Sequence, residues 1–291
     1  MEWIFTEIED SEIIRRIKMI PFARMLEYGN VYIKRLKGIV TQIQTYTGFG
    51  LWGTRGTSYN NVMYIINDTG RLYKVDAYSH SNSYVATASG GTARNVGITM
   101  SNDYVYVAGG LTSKSVELNR FVRYNISSNS WTTLQQMPAA AHNCELGIDV
   151  AGGIIYMVSK SLFYKYTIST NSWSAIAQPS SVPTGTGALC FYDSYLYYTN
   201  RGVMMRYNPV SNTWTTLTPY SVQLSDFAHM VECFGSLYIA GGSSGVYEYN
   251  ITLDKWRVIN PDSPIGGYEN GLGRINDSLY LCNGNTLYKI D

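Results

Sequence analysis

Trp131, Trp173, Trp214 and Trp256 stand 42, 41 and 42 residues apart, and each follows a tyrosine (Tyr124, Tyr166, Tyr207 or Tyr249) by seven positions. A period near 40 with a fixed internal signature marks one supersecondary unit copied along the chain. Such a unit cannot bury its apolar face alone and must stack on its neighbours. That requirement removes most of the folds otherwise open to a chain of 291 residues.

One copy shows what the unit is. Within 95–137, residues 96–100 read as a strand and Ser101-Asn102-Asp103 as a tight turn. Tyr104–Ala108 alternates as a second strand, Phe121–Asn125 as a third and 131–134 as a fourth. Four short antiparallel strands joined by turns make one blade of a β-propeller. The pattern returns around Trp173, Trp214 and Trp256, and Tyr84 stands in the tryptophan's place in an earlier copy. Second-strand tyrosines number six: Tyr64, Tyr106, Tyr156, Tyr197, Tyr238 and Tyr280.

The glycine pairs Gly109-Gly110 and Gly241-Gly242, the third-strand tyrosine and the tryptophan seven residues later resemble the kelch repeat. The resemblance spans about residues 50–291, although the copies ending at Ser159, Thr199 and Asn283 lack the glycine pair. The last copy stops after three strands, and an open edge would leave unpaired backbone groups. Kelch-like propellers commonly close with a strand from the other terminus, and the alternating segment 38–47, GIVTQIQTYT, is placed to supply it. The expected fold is therefore all-β: a six-bladed propeller at 38–291 with four-stranded antiparallel blades, the last stitched from both chain ends.

Residues 1–37 lie outside the repeat. Asp10 or Ser11 caps a predicted helix over 12–20, with Ile13, Ile14, Ile17 and Ile20 on one side and Pro21 at its end. Such an arm either packs on the propeller or tethers it in a homo-oligomer or larger assembly. The start, MEWIFTEIEDSEII, has early acids and no basic region or small-residue cleavage site, so no secretory signal is expected. No apolar run is long enough to span a membrane. These features lead to a cytoplasmic or virion-associated protein.

The formal charge of +1 argues against nucleic acid as a partner. Cys144, Cys190, Cys233 and Cys282 follow the repeat and read as buried thiols at similar strand positions. Asn125-Ile-Ser and Asn250-Ile-Thr fall in the repeated turn, where asparagine serves turn chemistry.

In a blade, the loop after strand two and the linker between blades open on the same face. Arg94-Asn95, His142-Asn143 and Glu269-Asn270 occupy comparable positions there in three blades, with Asp226 and His229 nearby in a fourth. Around a channel mouth they form a polar ring suited to hydroxyl-rich or carboxylate ligands. The insertion 111–120, LTSKSVELNR, lengthens the same face.

The nucleophile-elbow, zinc-protease, phosphate-loop and dinucleotide signatures are lacking, and three scattered histidines do not suggest a metal triad. No catalytic residue, metal or cofactor is therefore expected. The expected function is non-catalytic binding or adhesion to a glycan or protein surface. The composition is similar to that of phage tail-fibre and baseplate proteins. The alternatives are an intracellular kelch interaction hub and a carbohydrate-active enzyme using Glu145, Glu232 or Glu269.

Overall fold

Tyr104–Ala108 and Ser236–Ala240 are apolar at nearly every position, so both faces of each strand must be covered. The computed structural model describes residues 36, 39–45, 54–76, 79, 81–91, 93–180, 187–220, 228–240, 245–260 and 270–291. The predicted helix at 12–20 lies outside them. Residues 36–291 form one compact unit.

Six four-stranded antiparallel sheets make up the unit. The first blade runs Arg55–Tyr59, Val62–Ile66, Arg71–Val75, Asn82–Thr87, and the second Gly97–Met100, Tyr104–Ala108, Phe121–Asn125, Ser130–Thr133. The third comprises Glu145–Asp149, Ile154–Ser159, Leu162–Thr167 and Ser172–Ala175; the fourth comprises Ala188–Tyr192, Tyr195–Asn200, Val203–Asn208 and Thr213–Thr216. The fifth holds His229–Cys233, Ser236–Ala240, Val246–Asn250 and Lys255–Asn260.

The sixth blade begins with Asn270–Ile275, Ser278–Asn283 and Thr286–Ile290. Its outer strand is Val40–Thr45, which pairs antiparallel with Thr286–Ile290 from Val40 opposite Ile290 to Thr45 opposite Thr286. The ring thus closes with the N-terminal strand. Leu36 belongs to the same body: it is buried, and its carbonyl accepts a hydrogen bond from Arg257, which also pairs with Glu248.

Burial follows strand order. Second strands are covered on both faces by neighbouring blades, and burying each large apolar side chain there contributes about 1.5–3 kcal/mol. Outer strands such as Ser130–Thr133 and Thr213–Thr216 are exposed except for a half-buried tryptophan. Two-residue turns join first to second strands in the first, fourth, fifth and sixth blades. Asn60 and Asn61 both take positive φ (48° and 64°), as do Asp193 and Ser194 (48° and 66°), the geometry that matches strand twist. Gly109, with φ +63°, leaves no room for a side chain: a Cβ there would lie 2.5 Å from the Ala141 carbonyl oxygen.

The repeated aromatics form a clamp between blades. Tyr124, Tyr166, Tyr207 and Tyr249 each donate a hydroxyl hydrogen bond to Asn129, Asn171, Asn212 or Asp254 at 2.5–2.7 Å. Each tyrosine ring packs on its tryptophan with centroids 5.1–5.2 Å apart. In the third, fourth and fifth blades the turn residue and the tryptophan also grip the preceding blade. Asn171, Asn212 and Asp254 accept the N–H of Gln135, Ala177 and Thr218, and Trp173, Trp214 and Trp256 donate to the carbonyls of those same residues.

Asn125 and Asn250 turn the chain as expected: their side-chain oxygens accept backbone N–H groups two or three residues on. The cysteines do not share one strand position. Cys144 precedes an innermost strand, Cys190 and Cys233 lie in innermost strands at different depths, and Cys282 is in a second strand. Loop lengths differ between copies, so a similar spacing does not give a similar position. Cys144, Cys233 and Cys282 are buried and Cys190 half-buried; burial raises Cys144, Cys190 and Cys282 to about 12.

Candidate functional site

The innermost strands line a channel, and their pairing with the second strands sets its layers. Arg55, Gly97, Glu145, Ala188, His229 and Gly271 lie opposite Ile66, Ala108, Val158, Thr199, Ala240 and Cys282. Those six form one layer in which Arg, Glu and His of alternate blades are separated by Gly, Ala and Gly. Small residues between large ones let three long polar side chains share a narrow ring.

This layer is buried. Arg55 is 0% exposed, Glu145 5% and His229 7%. Arg55 Nη2 stands 3.9 Å from Glu145 Oε1. Burial raises the Glu145 pKa and the Arg55 charge opposes that rise. Burial, reinforced by Arg55, holds the His229 imidazole well below its ordinary 6.5, so it is neutral near pH 7. Among the described residues, Glu145 Oε1, His229 Nε2, Asn95 Oδ1 and Asn143 Oδ1 are buried without hydrogen-bond partners.

Beneath the polar layer lies an apolar collar of Gly56, Ile98, Leu146, Leu189, Met230 and Leu272. Two residues further along come Ser58, Met100, Ile148, Phe191, Glu232 and Arg274. Collar and wall enclose a cavity of about 480 Å³ that touches Glu145 and His229 at one end and the turn residues Asn60, Asn61 and Val150 at the other. Glu232 Oε2 pairs with Arg274 at 3.0 Å, and Glu232 Oε1 accepts the Gly235 N–H. Glu145 and Glu232 therefore do not meet. They sit three strand positions apart in depth, about 10 Å along the axis.

The linker face is built differently. Glu117, in the 111–120 insertion, accepts from His142 Nδ1 at 2.6 Å and Lys160 Nζ at 3.1 Å. The Lys160 hydrogen bond above all, then His142, keeps the Glu117 carboxyl below its usual range against a modest burial effect. Arg94 is exposed, donates to Ser115 Oγ at 3.4 Å, and pairs through its backbone with Leu111. Arg120 is buried and donates to the Ser89, Gly91 and Gly109 carbonyls, which fastens the insertion to the linker between the first two blades. Burial alone lowers the Arg120 pKa to about 10.

The eight sequence-predicted residues thus separate. Asn95 and Asn143 are buried above the polar layer, linked by Asn143 N–H to the Asn95 carbonyl at 2.7 Å, and His229 belongs to the layer itself. Arg94 and His142 stand on the linker face instead. Asp226, Glu269 and the Asn270 side chain lie outside the described residues. The pairing aligns Asn270 with Val96 and Cys144, so Glu269, not Asn270, corresponds to Asn95 and Asn143. Sequence reasoning missed Arg55 and the Arg–Glu–His alternation. Counting back from the second-strand tyrosines finds it: the layer lies nine residues before each, and eleven in the third blade, whose turn is two residues longer.

Among the described residues, no group of three or more His, Cys, Asp or Glu side chains is placed to hold a metal, and no helix is long and apolar enough to cross a membrane. A kelch motif is matched over residues 93–138. A solved structure described as "Structure of YjhT" superposes with a TM-score of 0.67 at 16% identity, covering 83% of this chain and 94% of that one; at such identity the likeness concerns the fold. A comparison with curated protein sequences gives no match. With the motif in its second blade, the Tyr–Trp clamp in four blades and six four-stranded sheets around a channel, the chain is a kelch-repeat β-propeller.

Proposed function

We propose that the protein is a non-catalytic recognition module that takes a glycan or a protein surface on its linker face. The kelch propeller fold suggests a binding or interaction role. The observation that carries the reading is the array around Glu117, in which the insertion, a linker and the neighbouring blade converge on one carboxylate. It presents Lys160, His142 and Arg94 in fixed positions beside Val116, which is 57% exposed. Preorganised polar groups around an exposed apolar side chain suit a ligand that is docked and released.

The channel carboxylates favour the same reading. Among the described residues, Glu145 faces Arg55 and Glu232 pairs with Arg274, and neither is set against a second carboxylate as glycoside hydrolysis requires. Composition extends the proposal to a virion tail-fibre or baseplate role with assembly through residues 1–37. Glycan-array and surface cross-linking experiments with the full chain test the binding, beside Val116→Asp and Glu117→Ala. Ligand retained by the wild type and lost by both variants supports it; equal retention by all three contradicts it. Light scattering of the full chain tests the assembly, with a trimer or hexamer expected and a monomer contrary to it.

A further inference from the structure

The channel cavity is separate from the linker-face array and has the character of a second site. Its 480 Å³ falls in the range of pockets that enclose small molecules. Beyond a collar of already buried Ile98, Leu146, Leu189, Met230 and Leu272, the half-buried Ile148 and Phe191 would gain from an apolar occupant. At its inner end two polar atoms, Glu145 Oε1 and His229 Nε2, are buried and lack hydrogen-bond partners among the described residues. Leaving a buried acceptor unmet is unfavourable, so these atoms reward a ligand that brings a hydrogen-bonding group to them.

Charge narrows the ligand class. An ammonium head brought to Glu145 would also meet Arg55, 3.9 Å from that carboxylate, and a carboxylate head would meet Glu145 itself. Arg55 already faces the Glu145 carboxyl, and His229 adds no charge near pH 7. At the outer end the Glu232–Arg274 pair is likewise closed on itself, with Arg274 N–H donating to Ser58 Oγ. We propose that the cavity binds an uncharged small molecule with an apolar body and a hydroxyl head, admitted past the turns at Asn60 and Val150, its hydroxyl donating to Glu145 Oε1 beside His229 Nε2.

The test uses the full-length chain and three probes of one size: cyclohexylmethanol, cyclohexylmethylammonium and cyclohexanecarboxylate. Calorimetry gives affinity and stoichiometry, and the methyl NMR signals of Met230 and Ile148 report location. The expected result is one-to-one binding of the alcohol, about tenfold or more tighter than either ion, with both methyls shifted. Ile148→Trp, at the half-buried wall, abolishes the binding, and His229→Leu weakens it about tenfold. Melting curves establish that each variant is folded, and Ile148→Phe replaces the tryptophan variant if that one is not. A channel that holds only water, with no methyl shift at millimolar alcohol, overturns the proposal. So does an ion that binds as tightly as the alcohol, or binding that the wall variants leave unchanged.

Discussion

Trp173 donates its indole N–H to the carbonyl of Gln135 on the preceding blade at 2.9 Å, while the N–H of Gln135 donates to Asn171 Oδ1, also at 2.9 Å. One peptide unit is thereby held from both sides by a turn residue and a tryptophan two positions apart. The same pair of bonds joins the third blade to the fourth and the fourth to the fifth. The seam between the first two blades differs: among the described residues Trp131 Nε1 is buried without a partner, and Arg120 bridges to the Ser89 and Gly91 carbonyls instead.

That contrast predicts unequal costs for one substitution. Trp173→Phe keeps an aromatic ring but removes the donor, and it should destabilise by about 1 kcal/mol. Trp131→Phe removes a donor that has no partner among the described residues, and its cost should be smaller by at least half. Urea unfolding of the two variants measures the difference; equal losses would mean that the clamp adds nothing to seam strength.

Arg55 and Glu145 predict a coupled effect. Removing Arg55 takes away the charge that opposes the raised Glu145 pKa, so Arg55→Met should cost about 1–3 kcal/mol, as an unmet buried carboxyl does, rather than the larger cost of a stranded charge. The double variant Arg55→Met/Glu145→Leu should recover most of that loss. A double-mutant cycle by chemical denaturation decides it, and simple additivity of the two single losses would rule the coupling out.

The Tyr–Trp part of the clamp was legible in the sequence because it is local: Tyr124 and Trp131 lie within eight residues, so any copy of the blade carries the pair. The turn residue Asn129 between them was not singled out, because asparagine in a turn has no distinctive spacing of its own. The closing strand was legible for a related reason: three strands at the C-terminus and one alternating segment near the start leave a single way to complete a blade. The channel layer was not legible, since Arg55, Glu145 and His229 come from three separate blades and share no local motif. Only register brings them level, and the longer turn in the third blade displaces Glu145 by two residues from the common spacing. His142 and Asn143 are neighbours that part: the His142 ring turns to Glu117 on the linker face, whereas Asn143 is buried.

His229 predicts an acid-side loss of stability. Its folded pKa lies below the unfolded value, so as pH falls past about 6.5 the unfolded chain binds a proton that the folded one refuses. Stability should fall by up to about 1.4 kcal/mol per pH unit in that window. Glu145 acts oppositely: its raised folded pKa gives stability present below the unfolded value of about 4.3 and lost as pH rises through the folded one. Because the two contributions oppose each other between pH 7 and pH 5, His229→Gln should melt progressively higher relative to the wild type as pH falls through that window, a difference that scanning calorimetry reads directly. A constant difference between the two proteins would assign the acid sensitivity to other groups.

Both proposed binding sites require a closed ring, and closure rests on Val40–Thr45 pairing with Thr286–Ile290. The decisive measurement is the thermal unfolding of two truncations beside the full chain, one lacking 1–35 and one lacking 1–47. The first keeps Leu36 and the closing strand and should give a folded propeller with a cooperative transition. The second exposes the edge of the sixth blade and should melt far lower or aggregate. If the chain lacking 1–47 melts with the full-length protein, the ring is not closed by its N-terminal strand.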